Sequence, residues 1–295
     1  MRRLAFALVP LLVALVGRQN PVDALVMGKW VRHWQTLSGE DTATMCLPAQ
    51  TPDEIADYRG GLPERVRALH EAGATVVAVT ADLSAPHESD AALREAASSG
   101  FTLFARTGDG APFAEPSGTI EMDTTAWLSM VLGAPPAAEQ PLSVAAYALH
   151  TGGAAVLPHT GPVLFMPYEV PFLHWDEPAA WAQAEGRVVF IGACKADRVL
   201  SRFGRQPAPV AHSEIVETLL DEAFPWEAPG WVDAVLAWIV FGVAYVARFR
   251  GSAVLVGAGA VLVSLLASLG GVWFGLSGLA LGALAGWLAQ ERSSP

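Results

Sequence analysis

The sequence predicts an α/β extracytoplasmic domain, built on a mixed, mostly parallel sheet, carried by an α-helical membrane anchor of one N-terminal span and three C-terminal spans. Three observations lead there. From Val232 to Gln290 the chain is nearly continuously apolar, with only Asp233, Arg248 and Arg250 charged. Upstream of it, short β-branched runs alternate with stretches of helical periodicity, the pattern of strands joined by crossover helices. Basic residues collect at the ends of the apolar runs, which sets the orientation of a membrane protein.

The anchor divides into Val232–Val246, Ser252–Leu269 and Val272–Ala289. A helix needs about 17–25 apolar residues to cross a bilayer. The first of these cores is slightly short, and Pro229–Trp231 before it with Tyr245 at its end suit the headgroup zone. A further apolar run, Leu4–Val16, follows Arg2 and Arg3. It is either a cleaved signal peptide or a retained, rather short span; the retained span is favoured, because Arg18-Gln19-Asn20 follows directly and no good small-x-small cleavage site stands out. Arg2, Arg3, Arg248, Arg250 and Arg292 flank the spans, while the Gly270-Gly271 turn is uncharged. An even number of spans then puts both termini in the cytoplasm and the body outside. The expected organisation is 1–20 anchor, 21–231 outer domain, 232–290 three-helix bundle and 291–295 short cytoplasmic tail, with no output domain of its own.

Five of the 18 basic residues flank the spans, so the outer body is more acidic than the net charge of −11 for the chain. An acidic body excludes nucleic acid as a partner and disfavours docking on anionic lipid. Apolar content of 52% is explained by the anchor.

Within the body, Pro21–Gln35 reads as a helix leaving the membrane. Thr42–Leu47 suits a first strand ended by Pro48. Thr51 and Pro52 form a helix start, as N-cap and first helical residue. Leu62–Ala72 is helical, with Val66, Leu69 and Ala72 on one face, and ends at Gly73. Thr75–Thr80 is a β-branched strand, Ser89–Ser99 a helix closed by Gly100, and Phe101–Ala105 another strand. Arg106–Pro116 is a polar loop. Thr119–Met122 reads as a strand, Thr125–Leu132 as a short helix, and Pro135–Pro141 as a linker. Leu142–His150 is a helix before Gly152-Gly153, Val163–Met166 a strand, and Glu177–Ala184 a helix started by Pro178. Arg187–Ile191 is the strongest strand. Lys195–Pro209 is a polar loop, and His212–Ala223 an amphipathic helix with Ile215, Val216, Leu219 and Leu220 inward.

Four segments carry a family resemblance. They are Leu62-Pro63-Glu64-Arg65 through Ala72–Ala78; Asp82 with Asp90-Ala91-Ala92-Leu93; Gly186–Ala193; and His212–Leu220. Together they resemble the extracytoplasmic CHASE sensor domain of the second type, found attached to bacterial cyclases and histidine kinases. The likeness covers nearly the whole chain, since one N-terminal span and three closing spans are also that family's layout. It implies a sensing function and a bacterial inner-membrane location. The chain departs from the family at Cys46-Leu47-Pro48, where acidic residues are usual, and at Glu214, where an Asn is usual.

Ligands of parallel α/β sheets bind beyond the C-terminal strand ends. Those ends present Cys46, Asp82, His87, Glu88 and Asp90, then Cys194, Lys195 and Asp197. Asp82, His87 and Asp90 suit a cation or cationic ligand; the plainer alternative is cap chemistry, with Ser89 or Asp90 starting a helix. Lys195, Asp197 and Arg198 suit an anionic ligand or a solvated ion-pair loop. His212, with Glu214 beside it, is either a pH-sensing group or a helix-start residue. Cys46 and Cys194 are either a disulfide, in an outer compartment that permits one, or two buried thiols. Their spacing matches no metal site, and no metal or cofactor is expected.

No G-x-S-x-G elbow, His-x-x-x-His or Cys-x-x-Cys pair, or phosphate-binding glycine loop occurs, and Gly108-Asp109-Gly110 is an ordinary turn. The reading is therefore non-enzymatic. In the anchor, Gly278, Gly282 and Gly286 recur every four residues, as do Ala260, Ser264 and Ser268 in the preceding span. Small residues at that spacing let helix backbones approach closely. They serve either the packing of these two spans on each other or a face for a second copy or a partner's span. The expected function is a membrane-bound sensor or regulatory subunit that passes a signal to a separate protein. The alternative is a scaffold subunit without ligand sensing.

Overall fold

A computed structural model describes residues 21–106, 113–114, 116–119, 130–132, 141–152, 161–163, 165–201, 203–247 and 251–291. The expected span Leu4–Val16 and linker Pro135–Pro141 lie outside these, the latter save for Pro141. The chain divides into two compact units. One holds the described residues from Thr36 to Phe224. The other holds helix α1 (Pro21–Trp34) and the residues from Pro225 onward.

The first unit is a three-layer α/β domain. Its strands are β1 (Thr42–Cys46), β2 (Val76–Val79), β3 (Thr102–Arg106), β4 (Ser117–Thr119), β5 (Phe172–Leu173) and β6 (Val188–Gly192). They form one sheet in the order β4-β3-β2-β6-β1-β5, and every pairing is parallel. The sheet is thus wholly parallel rather than mixed. Antiparallel pairing occurs only outside it among the described residues. A strand buried on both faces must be apolar at every position, and β2 (Val-Val-Ala-Val) and β6 (Val-Val-Phe-Ile-Gly) are buried throughout.

Alternate residues point to opposite faces. Met45, Val77, Val79, Phe104, Val189 and Ile191 pack under α2 (Ile55–Arg59), α3 (Leu62–Glu71) and α4 (Asp90–Ala97). Val76, Ala78, Leu103, Val188 and Phe190 pack under α5 (Leu142–His150) and α6 (Ala208–Leu220). The helix that follows β1 and the helix that follows β6 therefore lie on opposite faces, although β1 and β6 are neighbours. This is a topological switch point.

Several elements differ from expectation. Thr51 makes no side-chain cap; instead Gln50 N–H donates to Glu54 Oε2 at 2.8 Å. The strand expected at Thr119–Met122 starts two residues earlier, as β4. Met130–Leu132, expected at the end of a helix, pairs antiparallel with Gly161–Val163, which also replaces the strand expected at Val163–Met166. Pro178–Ala184 is a 3₁₀ helix. Arg198–Ser201 (β7) and Gly204–Pro207 (β8) form a hairpin inside the expected Lys195–Pro209 loop. Its strands are short and half-exposed, with Val199 and Leu200 adjacent rather than alternating with polar residues, so no apolar alternation betrays them; Gly204, at φ +100°, supplies the turn. Helix α6 starts at Ala208, four residues before His212, because Pro209 sits in the first turn, where its missing N–H costs nothing.

In the second unit, α7 (Gly230–Val246), α8 (Ser252–Leu269) and α9 (Leu276–Glu291) pack with α1. By length and composition α8 alone among the described helices is long and apolar enough to cross a membrane; α7 and α9 are apolar but shorter. The last helix begins four residues later than expected, because Val272-Trp273 pairs with Trp226-Glu227. Asp233 Oδ1 accepts the Gly275 N–H at 3.1 Å, and Asp23 Oδ2 accepts the Ser277 N–H at 2.8 Å. Two carboxylates thereby satisfy orphan amides at the positive end of α9.

The small-residue stripes resolve differently from expectation. A Cβ at Gly282 or Gly286 would strike the backbone carbonyls of Ala237 and Phe241, so this stripe seats α9 against α7 and not chiefly against α8. Ser264 and Ser268 are buried and Ala260 is half-buried on α8, where Gly257 meets Ala283. Gly278 lies within α9. The opposite side of α8 exposes Val254, Leu255, Leu262, Val263 and Leu266.

Candidate ligand cleft at the strand ends

A cleft of about 630 Å³ opens beyond the C-terminal ends of β1, β2 and β6. Three connections wall it: Pro52–Arg59 after β1, Asp82–Ala85 after β2, and Ala196–Val199 with Ala208 after β6. This is the place where the connections after β1 and β6 part to opposite faces, which is where open α/β sheets hold ligands. The volume lies in the range of small-molecule sites.

Local geometry fixes the strand ends from which these walls leave. Thr80 N–H donates to Ile191 O at 2.7 Å and its hydroxyl to the same carbonyl at 3.1 Å, tying the end of β2 to β6. Gly192 lies so close to Thr80 Oγ1 that no side chain fits there. Arg59 is buried and braces the wall: it donates to Leu83 O at 3.0 Å and to Ala85 O, and pairs with Asp90 at 2.7 Å. Its charge is therefore spent on the fold.

The structure separates the candidate residues. Asp82 and Asp197 meet at the cleft. Asp82 is exposed and accepts the Ser84 N–H at 2.9 Å. The Asp197 carboxyl is pushed up to about 6, first by burial and then by the Asp82 charge. Arg198 lines the cleft and donates to Arg205 O at 2.7 Å; Lys195 is exposed and does not line it. The expected grouping of Asp82, His87 and Asp90 does not form. Asp90 is held by Arg59, and its Oδ2 accepts the His87 N–H at 3.1 Å. His87 Nδ1 lies 2.7 Å from Ser89 Oγ. These residues build the start of α4, although Ser89 makes no cap bond of its own.

His212 does not start its helix; it lies one turn inside α6, fully buried and stacked on Phe190 with ring centroids 5.9 Å apart. The helix-start reading of His212 therefore falls. Glu214 is buried and accepts from Gln206 Nε2 at 2.9 Å. Neither reaches the cleft.

Cys46 and Cys194 form a disulfide, Cα to Cα 5.3 Å. It joins the chain where β1 and β6 leave the sheet. The turn that follows, with Asp197 N–H donating to Ala193 O at 2.8 Å, carries Asp197 to the cleft.

Sequence reasoning missed Arg59 and Glu217. Glu217 is buried in α6, and its Oε1 accepts from Asp41 N–H (3.0 Å), Thr42 N–H (2.7 Å) and Thr42 Oγ1 (2.8 Å). Burial raises its carboxyl and these donors oppose the rise. A signal existed: an acidic residue flanked by Val216 and Thr218 in an apolar helix, one turn before Leu220, must be satisfied inside. Nearby, Tyr168 OH donates to Asp221 at 2.8 Å, and burial raises the phenol strongly. Among the described residues no group of His, Cys, Asp and Glu is placed to hold a metal.

No protein-family model matches the chain, and neither a curated protein nor a solved structure matches it.

Proposed function

We propose that this chain is a bacterial extracytoplasmic sensor subunit of the type-two CHASE kind, held in the inner membrane by four spans, that receives a small molecule in the switch-point cleft and passes the change to a separate protein. One observation carries the reading: the cleft is walled by the connections of three parallel strands, and one wall is continuous with α6. Asp197 O accepts the N–H of Ala208, the first residue of α6, at 2.9 Å. Helix α6 is the last helix before Pro225, where the chain enters the second unit. A ligand that shifts 196–199 moves the origin of the helix that leads there. The exposed apolar side of α8 suits the lipid bilayer as its surroundings. The proposed output is a separate effector protein, and no catalytic step or cofactor is invoked.

The test is a thermal-shift screen of the purified full chain with amino acids, polyamines, dicarboxylates and sugars, repeated on Asp197→Asn. Stabilisation by one class, weakened in the variant, is expected. Stabilisation by none, or equally in both, contradicts binding in this cleft. The second reading, a scaffold subunit without ligand sensing, draws on Asp90, His87 and Glu214 being spent on internal bonds.

A further inference from the structure

The Cys46–Cys194 disulfide stands on the two connections that wall the cleft. Six residues after Cys46 the chain reaches Pro52, the first cleft residue; two residues after Cys194 it reaches Ala196. The bond is not needed to align the strands. Cys46 already pairs in register with Gly192, Leu47 N–H donates to Gly192 O at 2.8 Å, and both faces of β1 and β6 are packed. What it adds is a tie between two loops beyond the end of the ladder. It is also reachable. Both cysteines are half-exposed, and Cys46 lines a second open cleft of about 440 Å³ with Pro48, Phe172, Leu173, His174 and Trp175.

We infer that Cys46–Cys194 is a redox-sensitive lock on the ligand cleft, opened by a reduced dithiol protein of the thiol–disulfide oxidoreductase class that reaches Cys46 through the second cleft. The thiolate of the reductant attacks Cys46 Sγ. The Cys46–Cys194 bond breaks, and Cys194 leaves as a thiolate and takes a proton. The second thiol of the reductant then attacks the mixed disulfide, freeing Cys46 as a thiol. Two electrons and two protons pass to this chain, and the reductant departs as its own disulfide. The sheet stays paired, while 47–59 and 193–207 lose their shared anchor and the cleft walls gain freedom. This rests on the cleft being the ligand site, but the loosening itself is read without any ligand.

The experiment is amide hydrogen exchange on the full chain in detergent, oxidised and after treatment with dithiothreitol without denaturant. Exchange in 47–59 and 193–207 should speed up roughly tenfold, while β2 and β6 keep their protection, since local opening and global unfolding are separable in exchange. A Cys46→Ser, Cys194→Ser double variant should match the reduced protein; should it not fold, the chemically reduced wild type still decides. Three outcomes overturn the proposal: a bond that dithiothreitol cuts only in denaturant, unchanged exchange in both segments after reduction, or a rise spread evenly over β2 and β6, which marks a plain structural staple. None of the three bears on the small-molecule screen, so the lock can fail while the cleft reading stands.

Discussion

The Asp197 backbone carbonyl accepts the Ala208 N–H at 2.9 Å, while the Asp197 side chain borders the cleft. One residue thus touches both the place where a ligand would sit and the origin of α6. Ala208→Pro removes that donor at a helix position where proline is tolerated, and adds ring carbons at a buried residue. The expected cost is at least about 1 kcal/mol, the net worth of one hydrogen bond, with faster exchange at the start of α6 and the sheet unchanged. Chemical denaturation and amide exchange check this. An unaltered α6 would remove the link from the account.

Protonation of Asp197 should be visible in stability. Its folded-state value, raised to about 6, lies above that of the unfolded chain. The folded state then holds more protons, so this contribution is fully present below about pH 4 and is lost as pH rises through about 6. Partial exposure limits the effect to on the order of 1 kcal/mol. Melting curves between pH 4 and 7 should slope downward from this group, and the slope should flatten in Asp197→Asn and shrink in Asp82→Asn.

Glu217 fastens α6 to the start of β1 through three donors. Glu217→Ala leaves them without an acceptor in a buried place and should cost about 3 kcal/mol. Thr42→Val, which removes one hydroxyl and keeps the shape, should cost about 1 kcal/mol. Denaturation midpoints in the same detergent give both. Equal effects would mean that the hydroxyl alone carries the attachment.

In the second unit, Gly282→Leu drives a side chain into the Ala237 backbone and should abolish folded protein after detergent extraction. Gly259→Leu, where a Cβ meets nothing within 4 Å, should leave yield and melting unchanged. Size-exclusion profiles distinguish the two. A tolerated Gly282→Leu would contradict the close seating of α9 on α7.

Orientation is open to direct labelling. The disulfide leaves no native thiol among the described residues. A membrane-impermeant maleimide should label Glu88→Cys in intact spheroplasts and Arg250→Cys only after permeabilisation. The reverse pattern would place the α/β domain in the cytoplasm.

Much of the α/β domain was legible because its strands are buried on both faces. Val76–Val79 and Val188–Gly192 are apolar at nearly every position, and Leu142–His150 carries its own punctuation in Pro141 and Gly152. The hairpin at Arg198–Pro207 was not legible, since its short, half-exposed strands place Val199 and Leu200 side by side and show no apolar period. The cleft's location followed from topology, but its membership did not. Asp82 and Asp90 are close in sequence, yet Arg59, 31 residues before Asp90, claims one and leaves the other to Asp197. Such pairings are made by the fold and leave no spacing to read. The glycine stripe announced close helix packing, but which helix it receives depends on the path of α7.

The most direct test of the central claim, a sensor subunit that signals through another protein, is an affinity pull-down of the full chain from native membranes in mild detergent, with mass spectrometry of what stays bound. The account predicts a stoichiometric effector or signalling protein that persists through purification. Recovery of the chain only as a lone monomer would contradict it.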